Sequence, residues 1–105
     1  MATSPTQRSL KMMRERGYIC EITERWNPFA KVRQDLFGFV DILCIKECRT
    51  VAVQTTSYSN INARVKKIQS LEAYPIVLSA GWLIVVQGWR KNKEGKWVVK
   101  EVILE

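Results

Sequence analysis

The chain contains no histidine in its 105 residues. That absence removes Ser-His-Asp and Cys-His nucleophilic sites, the HExxH helix and most catalytic zinc sites. Any hydrolysis must then run on carboxylates, amides, lysines and a hard metal ion, and magnesium chemistry on phosphate esters fits that remainder. Cysteine is scarce too. Cys20, Cys44 and Cys48 are odd in number and lack paired CxxC knuckles, so they read as reduced thiols, with Cys44 a core filler. No stretch approaches the ~20 continuous apolar residues of a membrane helix, and the N-terminus lacks the apolar region of a signal peptide, so a cytoplasmic location is expected. Acidic residues are also few, 10 Asp and Glu against 17 Lys and Arg, which leaves a formal net charge of +7. Such a charge favours polyanionic partners through counterion release from phosphates, whether DNA, RNA or anionic lipid.

What is present suffices for one domain spanning residues 1–105, because 47% apolar content fills a single core without staples. Ser4 as N-cap and Pro5 at the first helical position open a helix to about Arg16, and Gly17 stops it. Tyr18 to Trp26 reads as a strand with Ile19 and Glu24 out of alternation, and Asn27-Pro28 breaks it. Asp35 to Ile45 is, beyond its first residue, apolar on both alternate faces except at Gly38 and Asp41, the pattern of an interior strand, and Thr50 to Thr56 is a second such run. Ser57 to Asn60 offers N-caps for a helix with Ile61, Val65, Ile68 and Leu71 on its core face. Pro75 to Ala80 fits either a loop or a short helix. Gly81 to Trp89 and Lys96 to Leu104 flank an Asn- and Gly-containing turn and predict a hairpin. The fold class is therefore α/β, in the order helix, three strands, helix, two strands, with a central mixed sheet flanked by helices.

Asp41 stands in the middle of an apolar run, where an ionised carboxylate is costly unless it meets a cation or donors. Gln54 occupies a similar place in the next run. If the two runs pair around a Glu47-Cys48 loop, residues whose numbers sum to 95 face each other, Asp41 and Gln54 among them. Thr56 shares the face of Gln54, so three oxygen-bearing side chains converge. Asp41 and Gln54 are thus candidate ligands for Mg²⁺ or Mn²⁺. The alternative is structural: Asp41 pairs with a basic side chain and Gln54 caps a strand end.

The order of elements, with FGFVD followed by VAVQTTS, resembles the PD-(D/E)XK restriction-endonuclease-like nucleases, which include archaeal Holliday-junction resolvases and virus-type replication-repair nucleases. The resemblance spans roughly residues 4 to 90. It implies a nuclease fold and metal-dependent hydrolysis of DNA phosphodiesters. It also implies that Asp41 is the metal-binding acid and Gln54 the second ligand. Thr56 then falls where the family carries a catalytic lysine, with Lys66 or Lys67 on the following helix as replacements, and Gln7 or Glu15 stands at the position of an acid on the first helix.

Phosphate contacts are expected from Ser57 and Asn60 at the start of that helix, from Arg64, Lys66 and Lys67 within it, and from Lys31 and Arg33 upstream. Trp26, Phe29 and Trp89 are candidates for stacking on bases, or alternatively for the core or a dimer interface. Three functions compete: a metal-dependent endonuclease, a nucleic-acid-binding module that keeps the fold without turnover, and a subunit whose last hairpin forms a homodimer.

Overall fold

The computed structural model describes residues 3–105. Its first helix, α1 (Pro5–Glu15), starts where the Ser4 hydroxyl accepts the Gln7 amide at 3.2 Å and Pro5 needs no amide partner. It ends at Gly17, whose φ of +94° reverses the chain into the sheet. Leu10 and Met13 are buried and form the face that α1 lays on that sheet.

Five strands make the main sheet in the order β1-β4-β5-β6-β7: β1 (Ile19–Ile22), β4 (Ile42–Lys46), β5 (Arg49–Ser57), β6 (Leu83–Lys91) and β7 (Trp97–Leu104). Only β5 and β6 run parallel; the other pairs are antiparallel. Two further strands, β2 (Arg25–Asn27) and β3 (Val32–Gln34), form a separate antiparallel ribbon between β1 and β4. A 3₁₀ turn (Tyr58–Asn60), α2 (Ile61–Ser70) and α3 (Ala73–Ser79) make the crossover from β5 to β6. Alternation assigns the two faces: Val51, Val53 and Val85 pack beneath α1, while Ala52, Ile84 and Val86 pack beneath α2 and α3. The α/β class and the helix-flanked mixed sheet are as the sequence predicts, and the segment from Pro75 resolves into α3. Among the described residues no helix is long and apolar enough to cross a membrane.

Two expectations are corrected. Tyr18 to Trp26 is not one strand, because Thr23 and Glu24 separate β1 from β2. Nor is Asp35 to Ile45: β4 begins only at Ile42, and the preceding residues form a tight turn. In that turn Phe37 and Gly38 take φ of 56° and 83°, the left-handed region, and Leu36 bridges Val40. Apolar residues on both sides of Gly38 disguise the turn as a strand.

The crossover packs tightly on Gly88. A Cβ there would collide with the Ile61 side chain and lie 3.1 Å from the Tyr58 backbone. Gly88→Ala is therefore expected to destabilise the fold by about 1–3 kcal/mol, read as a lower midpoint in urea with an unchanged slope. A variant as stable as wild type would mean that the crossover repacks freely.

Candidate functional site

β5 is longer than β4 at the end where β4 begins, so the Thr55 amide has no ladder partner from β4. The Asp41 carboxylate supplies one. Its Oδ2 accepts the Thr55 amide at 2.8 Å, the Thr55 hydroxyl at 3.2 Å and the Gln54 Nε2 at 2.7 Å. The pairing register is the one expected around Glu47-Cys48, with Ile42 opposite Val53. Glu47 makes that two-residue turn feasible by adopting a φ of 52°. Gln54 and Thr55 point to opposite faces of β5, yet both reach Asp41 because it stands at the strand's end rather than within it.

Two further carboxylates arrive through local geometry. Thr23 ties the exit of β1 to the entry of β4, its amide donating to Asp41 O at 2.9 Å and its hydroxyl to Val40 O at 2.7 Å, which holds Glu24 beside the site. The β2–β3 ribbon then pairs Arg25 with Gln34, so its flanking residues Glu24 and Asp35 stand together at its base. One carboxylate oxygen from each of Glu24, Asp35 and Asp41 lies within 4.8 Å of the others. They line a cavity of about 340 Å³ with Gln54, Thr55 and, from α1, Pro5 and Thr6. Thr6 Oγ1 is 2.9 Å from Thr55 Oγ1.

Asp41 is buried, and desolvation raises its carboxyl from 3.8 to about 7; the neighbouring Asp35 adds to the rise, while the Thr55 donors oppose it. Gln54 is 3% exposed, and among the described residues its Oε1 has no hydrogen-bond partner, although its Nε2 is satisfied by Asp41. A buried amide oxygen left bare costs about 1–3 kcal/mol. Three carboxylates and one free amide oxygen form an all-oxygen donor set that suits a hard divalent cation.

Cations border these acids. Arg33 is 3.6 Å from Glu24, and Arg64 of α2 lines the cavity of Asp41. A neighbouring groove of about 740 Å³ shares Arg33 and Asp35 and adds Arg25 and Lys67.

Comparison with protein-family models, curated proteins and solved structures returns no match.

Asp41 and Gln54 meet, as the register predicts. The hydroxyl on Asp41 is that of Thr55; Thr56 is buried one residue further on, opposite Gly88. From α1 the site receives Thr6, whereas Gln7 and Glu15 line a shallow depression with Lys11 and Arg14. Arg33, Arg64 and Lys67 border the acids. Lys66 and Asn60 are exposed on α2 and the turn before it, and Lys31 sits at the turn of the ribbon with a φ of 55°. Ser57 lines a different cleft. Trp89 is a core residue, its Nε1 donating to the buried Ser9 hydroxyl at 2.8 Å, while Trp26 and Phe29 are exposed on the ribbon. Glu24 and Asp35 carry weak sequence signals: Glu24 interrupts an alternation, and Asp35 precedes an apolar run containing a second acid.

Proposed function

We propose that this chain is a divalent-metal-dependent endonuclease of the PD-(D/E)XK, restriction-endonuclease-like type, hydrolysing DNA phosphodiester bonds. The observation that carries this reading is the convergence of Glu24, Asp35 and Asp41 beside the unpartnered Gln54 oxygen. The order of the main-sheet elements, one helix, three strands, a helical crossover of α2 and α3, then two strands, supports it.

In this reading Asp41, Gln54, Glu24 and Asp35 hold Mg²⁺ or Mn²⁺. When bound there, the ion supplies Lewis-acid polarisation of the phosphoryl group and an activated water. Arg64 and Lys67, three residues apart on one face of α2, hold the phosphate and offset its developing charge. Arg64 takes over the electrostatic part of the lysine that Thr56 lacks, since its guanidinium borders the cavity of Asp41. Thr55 and Gln54 orient Asp41 through its Oδ2.

A second reading, a nucleic-acid-binding module without turnover, draws on one observation: Asp41 already has three donors and so has a purely structural role as the cap of β5. A labelled panel of single-stranded, duplex and branched DNA, incubated with Mg²⁺ or Mn²⁺, separates the two. Wild type is expected to cut at least one member, and Arg64→Gln to cut it roughly 10²-fold more slowly, the scale of losing one electrostatic contact in a transition state. Binding to the panel without cutting, at every metal concentration, would leave only the binding module.

A further inference from the structure

The last strands of the sheet build a second feature next to the acidic cavity. β6 pairs with β5 only as far as Ser57 opposite Trp89, yet it continues to Lys91, so the β6–β7 hairpin projects beyond the end of β5. The chain leaving β5 turns away through Tyr58. Between them lies a mainly apolar notch of about 520 Å³, walled by Pro5, Tyr58, Trp89 and Trp97, with Arg90 and Lys91 at its edge.

Its two outer rings are loaded with cations. The Arg8 guanidinium lies 3.7 Å above Trp97 and Lys91 Nζ 5.5 Å from it; Arg90 and Lys100 stand 4.7 and 5.6 Å from Tyr58. Trp97 and Tyr58 nonetheless keep 42% and 39% of their surface exposed. Among the described residues none of these four cations forms an ion pair. Rings with open surface surrounded by uncompensated positive charge suit a ligand that alternates flat apolar groups with anions. An acidic peptide brings the charge without the rings, and an intact duplex keeps its bases stacked inside.

The notch also adjoins the candidate nuclease site. Pro5 lines both, and Thr55 and Ser57 lie on one face of β5 about 7 Å apart at the usual strand rise. That distance is on the order of two nucleotides of a stacked strand, which advances ~3.4 Å each.

We infer that the notch binds an unpaired nucleotide of single-stranded DNA, its base stacked on Tyr58 or Trp97 and its flanking phosphates on Arg8, Arg90 and Lys91. As a statement about which DNA the acidic site receives, this rests on the nuclease reading; as a statement about binding, it does not. The substrate is then a single strand or the unpaired arm of a branched duplex.

The test is fluorescence anisotropy with a labelled oligodeoxythymidine and a blunt duplex of equal length, with EDTA in place of divalent metal. Wild type is expected to prefer the single strand. The pair Tyr58→Ala with Trp97→Ala is expected to weaken single-strand binding roughly ten-fold or more and leave duplex binding unchanged, while Tyr58→Phe with Trp97→Phe restores it. Arg90→Gln with Lys91→Gln, two exposed positions that do not challenge folding, is expected to weaken binding and flatten its dependence on salt. Equal affinity for single strand and duplex, wild-type single-strand affinity in the alanine pair, or displacement of the oligonucleotide by polyglutamate at matched charge would each overturn the inference. Metal-dependent cutting without notch-dependent binding would sink this inference and keep the nuclease. Notch-dependent binding without cutting would do the reverse.

Discussion

Asp41→Asn is expected to abolish metal-dependent cleavage and, in EDTA at pH 8, to melt several degrees above wild type. The two effects have opposite signs because one charge serves two purposes. Removing the central carboxylate from an all-oxygen cation site forfeits several kcal/mol of transition-state stabilisation, which at about 1.4 kcal/mol per decade is roughly 10³-fold in rate or more. The same carboxylate is a burden to the fold at pH 8, being buried, ionised and within 4.8 Å of Glu24 and Asp35. Asparagine keeps an oxygen for the Thr55 amide and Gln54 Nε2 and turns an N–H₂ toward the remaining acids. Relief of about 1 kcal/mol raises the melting temperature of a domain of this size by ~4–8 °C. Asp41→Ala separates this from a mere cap. It removes the charge but also strands the Thr55 amide and Gln54 Nε2, and so is expected to be less stable than Asp41→Asn. Single-turnover cleavage and thermal melts of the two variants provide the readout. An asparagine variant that cuts like wild type would remove Asp41 from the chemistry, and one that melts below wild type would show that the carboxylate is a net structural asset.

The pairing of Asp41 with Gln54 was legible because register follows from loop length: a two-residue turn at Glu47-Cys48 dictates every pair from Lys46–Arg49 to Ile42–Val53. The placement of α1 was legible for similar local reasons, a Ser-Pro start and a glycine stop. Three-dimensional detail beyond such local rules was not. Face parity favours Thr56 as the partner of Gln54, but Asp41 lies outside the strand and binds the first free amide of β5, which belongs to Thr55. Glu24 and Asp35 become neighbours only through the β2–β3 ribbon, whose short strands carry almost no periodicity. The apolar run around Gly38 hides the turn that brings Asp35 within reach of an acid six residues away. On α2, helical phase decides which cations count. Arg64 and Lys67 share the face toward the acids, and Lys66, adjacent in sequence, does not.

The melting temperature of the protein in EDTA is expected to fall as pH rises from about 5 to 7.5, and added Mn²⁺ is expected to reverse that trend. Burial places the Asp41 carboxyl at about 7, above its ordinary value of 3.8. Because the folded value is raised, the neutral acid contributes stability that is complete below the unfolded value and is lost as pH climbs through the folded one. The slope for one such proton is at most ~1.4 kcal/mol per pH unit, confined to the window between those two values. Asp35, Glu24, Arg33 and Arg64 face the same cavity; after burial itself, Asp35 pushes the Asp41 carboxyl further up, and the Thr55 donors limit the rise. Asp41→Asn should flatten the pH profile, since it has no proton to lose. A divalent cation selects the ionised carboxylate, so Mn²⁺ must displace the proton at low pH but not at pH 8. The melting shift produced by a fixed Mn²⁺ concentration should therefore be small at pH 5.5 and grow to its full value by pH 8. Calorimetry in two buffers of different ionisation enthalpy should register proton release on binding near pH 6.5. A Mn²⁺ shift constant across this range would mean that the ion does not compete with the Asp41 proton. A shift that persists in Asp41→Asn would move the cation to Glu24 and Asp35 alone.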